Sequence, residues 1–138
     1  MVELKEAKFY PDTSIWLDFF EKRGHEREIA KRFFKKMIVK ESKIIFSEAI
    51  RDELIKYGFY QENLNYLLSI FKNNLVYVQF NKEQFGKAND LAIKRNIPRL
   101  DTLHALLARD NKAILVSRDR HFDKLLDIVH YKKPEDII

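Results

Sequence analysis

Residues 100–122, LDTLHALLARDNKAILVSRDRHF, set the architecture. The stretch predicts a nearly all-apolar helix that opens with Asp101. An apolar strand over Ala113–Val116 follows, and it runs out into Ser117-Arg118-Asp119. A helix buried on most sides followed by a short strand buried on both faces is the pattern of the middle of a parallel α/β sheet. In open sheets of that kind ligands bind beyond the carboxyl ends of the strands. Asp119 lies just past such an end, and Asp101 stands at a helix start that the fold can bring to the same place.

Outward from this stretch the chain alternates strands and helices. Lys8–Pro11 reads as the first strand, and any of Asp12, Thr13 and Ser14 can cap the helix beginning near Ile15, which Gly24 ends. A second helix over His25–Val39 carries two apolar rows, Ile29, Phe33, Met37 and Ala30, Phe34, Ile38. Lys43–Phe46 is the second strand, and Ser47 caps a third helix ending near Gly58. Leu64, Leu67, Leu68 and Phe71 mark a fourth helix, and Leu75–Val78 is the third strand. Asn81 and Gln84 form a capping box that opens a fifth helix, with Phe85, Ala88 and Ala92 inward. Phe122–Leu126 reads as a short helix, Asp127–Val129 as a last strand, and the tail after Tyr131 as peripheral. Alternating strands and helices imply right-handed crossovers and a parallel sheet with helices on both faces, in one domain over residues 1–138.

The chain has 138 residues, 46% of them hydrophobic and 34% charged, and it reads as a globular domain with a substantial core. Three glycines and three prolines leave little room for long linkers. No apolar run approaches a membrane span, and no secretory leader pattern opens the chain. The absence of cysteine excludes disulfides and thiolate metal sites, so an intracellular, cytoplasmic location is the expectation. A net charge of +5 is compatible with a polyanionic partner. Abundant Lys, Glu and Ile suit a heat-adapted source.

Singly, Asp12, Asp101 and Asp119 each read as caps of the turns or helices that follow them. The acid of the third helix says more. At about 100° per residue Ile50, Leu54 and Tyr57 share a stripe, and Glu53 lies beside it, while Glu48 and Asp52 fall on the opposite side. An inward carboxylate must be paired, protonated or bound to a cation, and its plain reading is a pair with an arginine or with Lys56. Two acids past strand ends, one at a helix start and one on an inward helix face can converge on one pocket. Their mutual repulsion is relieved by a divalent cation, and oxygen-only ligands favour Mg²⁺ or Mn²⁺ over Zn²⁺. Such an ion activates water and neutralises charge on a phosphoryl oxygen.

Four segments then carry a family resemblance: Phe9-Tyr10-Pro11-Asp12-Thr13-Ser14, Ser47 to Leu54 with Glu53, Asp101-Thr102-Leu103-His104-Ala105, and Ser117-Arg118-Asp119-Arg120-His121-Phe122. Together they resemble the four acidic motifs of PIN-domain proteins, and the chain is most similar to the short VapC-type toxins of toxin–antitoxin pairs. The resemblance covers nearly the whole chain in order. It implies a Mg²⁺- or Mn²⁺-dependent ribonuclease on a three-layer α/β/α sandwich, with RNA as substrate, a small antitoxin protein as partner and a homodimeric assembly. It carries over Asp12, Glu53, Asp101 and Asp119 as catalytic and metal-site acids, with Ser14 and Ser117 as supporting hydrogen-bonders. Pro11 directly before the first acid, and Ser117 where threonine is common, depart from the usual pattern. Asp123 is a spare acid within reach of a metal or its waters.

Other residues have two readings each. His104, one turn after Asp101, is a proton shuttle or a packed histidine; His25, His121 and His130 have no ligand-like spacing. Arg118 and Arg120 flank Asp119 and grip RNA phosphates, or are plain surface arginines, and Lys94-Arg95 is a solvated face. The aromatic residues are core or a partner interface before they are base-stacking platforms. A phosphoacceptor receiver domain needs an acid pair near the first strand, and a haloacid-dehalogenase-like phosphatase needs an acid where Ser14 stands. The remaining rivals are an RNA-processing nuclease without a toxin role and a non-catalytic module that binds RNA or protein.

Overall fold

In the computed structural model, which describes residues 7–20 and 23–138, five parallel strands form one sheet. In chain order the elements are β1 (Lys8–Pro11), α1 (Thr13–Phe20), α2 (His25–Val39), β2 (Lys43–Ser47), α3 (Glu48–Lys56), α4 (Gln61–Phe71), β3 (Leu75–Val78), α5 (Lys82–Arg95), α6 (Arg99–Asp110), β4 (Ile114–Val116) and β5 (Tyr131–Lys132). Short 3-10 helices cover Arg120–Leu125 and Pro134–Asp136. The strand order is β3-β2-β1-β4-β5, so the direction of winding reverses between β1 and β4. The result is the expected α/β/α sandwich around a parallel sheet.

The aromatic side chains build the core on one face. The buried Trp16 ring of α1 lies 4.6 Å from Phe34 of α2, 5.4 Å from Phe46 of β2 and 5.8 Å from Phe71 of α4. Right-handed crossovers send the β3-to-β4 connection to the opposite face, where α5 and α6 pack on each other and α6 on β4. Seven consecutive residues of α6, Thr102 to Ala108, are buried. The caps expected at Ser47 and Asn81 form: Ser47 accepts from the Ile50 N–H at 3.1 Å, and Asn81 and Gln84 make a reciprocal capping box. Asn96, in the left-handed region at φ 53°, ends α5 and frees Ile97-Pro98 to lead into α6.

Several local expectations are corrected. α1 begins at Thr13 rather than near Ile15, because Asp12 already supplies the cap, accepting from the Ile15 N–H at 3.3 Å. Gly24 is the N-cap of α2 instead of the end of α1, and Ile38, on the second apolar row of α2, is 42% exposed in the last turn. Tyr57 is the C-cap of α3 and is 65% exposed, beyond the turn that buries Ile50 and Leu54. Leu68 of α4 is also exposed. Asp127–Val129 is not a strand. The Ile128 and Val129 N–H groups both bond back to the Leu125 carbonyl, and Arg95, no plain solvated residue, forks onto Asp127 at 2.7 and 2.9 Å. Extended pairing with β4 starts only at His130, whose carbonyl accepts from Leu115 N–H at 3.2 Å. The tail is not peripheral, since Ile137 is buried and its carbonyl accepts from Lys36 Nζ at 2.6 Å. Among the described residues no helix is long and apolar enough to cross a membrane; the expectation about a leader falls partly on residues 1–6, outside the described ones.

Candidate active site

β1 and β4 are neighbours at the reversal point of the sheet, where an open α/β fold forms its binding crevice. Pro11 ends β1 without disrupting it. Pairing with β2 stops at Phe9, pairing with β4 continues to Pro11, and the Asp12 N–H donates to the Val116 carbonyl at 3.0 Å. By alternation the missing proline N–H falls on the β2 side, where the ladder has already ended. Asp12 is thereby pinned to the end of β4. Its carboxylate accepts from Ser14 Oγ at 2.6 Å, from Ser117 Oγ and from the Ile15 N–H. Ser117 Oγ also accepts from the Asp119 N–H at 2.9 Å, so one buried hydroxyl ties the two acids together. Burial pushes the Asp12 carboxyl above the usual aspartate range, and the hydrogen bonds from the two serines and the Ile15 N–H oppose it without cancelling it.

Glu53 reaches inward from α3, as its helical phase requires. Its plain readings, an arginine or Lys56 as partner, give way to another. Glu53 Oε1 accepts from Thr13 Oγ1 at 2.9 Å and is hydrogen-bonded to His104 Nε2. Burial pushes this carboxyl up, but its contacts with the His104 ring, then Thr13 and Lys56, outweigh that and hold it below the usual range. Asp101 is not an N-cap. Pro98 holds that position, Asp101 sits in the first helical turn, and its side chain turns out of the helix to His121 Nδ1 at 2.9 Å. Burial, and then the Asp119 charge, raise its carboxyl against the hydrogen bond from His121. Asp119 does cap the following 3-10 helix, accepting from the His121 N–H at 2.9 Å.

Asp12, Glu53, Asp101 and Asp119 line a single cleft of about 430 Å³, joined by Thr13, Ser14, Asp18, Glu26, His104 and Arg118. Ligand atoms of Asp101, Asp119 and His121 all lie within 4.8 Å of one another. His121, set aside on sequence spacing, therefore stands between two of the acids, 3.1 Å from Asp119, and their pull raises its pKa, the bond to Asp101 first. Spacing failed because the 3-10 turn doubles the chain back over Asp101. Arg118 lines the cleft but is held by Glu135 of the tail at 2.6 and 2.7 Å. Arg120 is 89% exposed, 3.7 Å from Asp123. Asp123 lies outside the cleft lining, bonded to the Tyr131 hydroxyl.

Several cleft residues carried a signal in the sequence. Ser14, Leu17 and Asp18 follow the i, i+3, i+4 rule of one helix face. Behind the cleft, Tyr10 stands two positions before Asp12, and its hydroxyl bonds His104 Nδ1 at 2.7 Å. His104 and Asp101 are three apart on α6. Glu26, in the first turn of α2, carried none.

A family model, described as PIN domain, matches residues 9–126. No curated protein matches the chain. Among solved structures the chain is similar to VapBC-1 from nontypeable Haemophilus influenzae, with a TM-score of 0.67 and 19% identity over 93% of this chain and 98% of that one. It is similar to VapBC2 from Rickettsia felis bound to a DNA fragment from their promoter (TM-score 0.65, 18% identity, 89% and 96% of the two chains). FitAcB from Neisseria gonorrhoeae gives a TM-score of 0.62 at 15% identity, over 92% and 98%. At these identities the likeness is one of fold.

Proposed function

The chain belongs to the PIN-domain family, and on that premise we propose that it is a Mg²⁺- or Mn²⁺-dependent ribonuclease, the toxin of a toxin–antitoxin pair. The observation that carries the reading is the convergence of Asp12, Glu53, Asp101 and Asp119 on one cleft at the reversal point of the sheet. The donor set fits a hard divalent cation. It is rich in carboxylate oxygen and contains no sulfur, and two of its acids, Asp12 and Asp101, are raised by burial as acids short of counter-charge are. Asp12, Asp101 and Asp119 would hold the ion, with Glu53 acting directly or through water. When bound, Mg²⁺ or Mn²⁺ supplies water activation and neutralises charge developing on the phosphodiester.

The chain's own residues do the rest. Ser14 and Ser117 orient Asp12, and Ser117 couples it to Asp119. Thr13 and His104 hold Glu53. Arg120, exposed at the rim and paired with Asp123, can meet backbone phosphates there, and Arg118 does so on giving up Glu135. The toxin role is supported by fold likeness to chains of toxin–antitoxin complexes that this chain spans almost end to end. On this reading a small antitoxin protein is its partner, and the active form is a homodimer of one-domain chains.

The test is cleavage of RNA with Mg²⁺, Mn²⁺ or EDTA, beside Asp101→Asn. Asn keeps the size of the side chain and removes its charge. Metal-dependent cleavage that falls about a hundredfold or more in the folded variant is expected, as for loss of a central electrostatic group. Metal-independent cleavage, or a fully active variant, would end the reading. A neighbouring reading frame for a DNA-binding antitoxin separates toxin from processing nuclease.

A further inference from the structure

Behind the cleft runs a buried chain of polar groups. The Ile50 N–H donates to Ser47 Oγ at 3.1 Å, Ser47 Oγ lies 2.7 Å from the Tyr10 hydroxyl, and that hydroxyl lies 2.7 Å from His104 Nδ1. His104 Nε2 meets Glu53 Oε1, which also accepts from Thr13. Ser47 and Tyr10 are 0% exposed and His104 2%, so each hydrogen must find a partner inside the protein. The count has one full solution for a neutral imidazole. The carboxylate only accepts, so Nε2 carries the hydrogen. Nδ1 then accepts from Tyr10, Tyr10 accepts from Ser47, and Ser47 accepts from the Ile50 N–H. A doubly protonated ring would reverse Tyr10 onto Ser47 and strand the Ser47 hydrogen among buried groups.

Resting on the reading of Glu53 as a metal-site acid, we propose that His104 is a positioning residue: the directed relay Ser47–Tyr10–His104 grips Glu53 by Oε1 and leaves Oε2 to serve the cleft. Among the described residues Oε2 has no hydrogen-bond partner, and Glu53 lines the cleft. The relay is anchored on the elements that carry the acids. Tyr10 lies in β1 two positions before Asp12, which follows the strand directly, Ser47 caps the helix bearing Glu53, and His104 shares a face of α6 with Asp101. Glu53 is the one acid of the four on a long, rotatable side chain reaching in from a separate helix, so it is the one that needs an external grip.

Two measurements test this. In the metal-free protein, long-range proton–nitrogen NMR of labelled histidine reads the His104 tautomer directly. The Nε2–H form is expected, and in the isosteric Tyr10→Phe the Nδ1 resonance should shift as it loses its donor while Glu53 still fixes the hydrogen on Nε2. Calorimetric titration with Mn²⁺ should show about a tenfold or greater loss of affinity in Tyr10→Phe and His104→Leu, the range typical of groups that orient metal ligands. His104→Gln, which keeps an N–H for Glu53, should stay closer to wild type. On a Glu53→Gln background, His104→Leu should cost no further affinity, because its effect passes through Glu53. An Nδ1–H tautomer in wild type overturns the relay. So does wild-type Mn²⁺ affinity in Tyr10→Phe, or a His104→Leu loss that persists without Glu53, since a residue that merely packs the core predicts that persistence. Failure of the wild type itself to bind Mn²⁺ removes the metal-site reading, a different failure seen in a different sample.

Discussion

Asp119→Asn separates a metal-site acid from a cap or a structural ion pair. The ligand atoms of Asp101, Asp119 and His121 lie within 4.8 Å of one another. Two like charges at that distance repel by about 3.5 kcal/mol at an effective dielectric of ~20 and by about 1 kcal/mol in water. Asp119 is 39% exposed, so the lower figure, about 1 kcal/mol, applies. When protonated, the His121 ring, 3.1 Å from Asp119, attracts it by a similar amount, about 1 kcal/mol. The substitution removes both terms, and asparagine still caps the His121 N–H. Metal-free stability should therefore stay within about 1 kcal/mol of wild type, a few degrees in Tm for a domain of this size. Mn²⁺ at about 100 times its Kd should stabilise wild type by about 2.7 kcal/mol through mass action, roughly 5–10 °C. If the variant binds tenfold to a hundredfold more weakly, the same Mn²⁺ yields about 1.4 to 0.4 kcal/mol. Thermal melts of both proteins, in EDTA and in Mn²⁺, measure all four values. An equal Mn²⁺ shift in the two proteins would refute the ligand role of Asp119. A clear metal-free loss would mean that the cap and the His121 pair outweigh the repulsion.

The pH dependence of the metal-free protein has a definite sign. Asp12, Asp101 and His121 have raised folded pKa values, so their contributions are lost as pH rises through those values and are fully present below about 4 for the acids and about 6.5 for the histidine. Glu53, Asp110 and Glu135 are lowered, and their contributions are lost as pH falls below about 4.5 through the folded values. Melts in EDTA should peak on the acid side of neutrality, and a maximum at neutral or alkaline pH would contradict the balance of burial and repulsion. Glu53→Gln should damage cleavage far more than Asp52→Asn, whose carboxylate pairs with Arg51 at 3.2 Å on the exposed side of α3; kcat values in the reverse order would place the wrong face inward. Binding of RNA by inactive Asp101→Asn should weaken steeply with salt, and Arg120→Gln should lower the slope by about one phosphate contact. A slope near zero would point to protein as the main ligand.

The sequence alone determined the element types and the layers, because each rests on local periodicity: seven buried residues in a row from Thr102, the buried row Ile29, Phe33 and Met37 of α2, and the caps at Ser47 and Asn81. It also marked the four acids that line the cleft, since strand ends and helix phase are read over a few residues. What it left open were the elements whose limits are set by distant partners. β5 starts where β4 offers carbonyl and N–H partners, and the tail stays in place because Lys36 and Arg118 bind it. The partners of the acids were likewise invisible. Tyr10 and His104 are 94 positions apart, and Glu53 and His104 are 51 apart. No local pattern records that such side chains meet. Only the packing of α3 and α6 against the end of β1 brings them together, and burial then forces every polar group among them to find a partner.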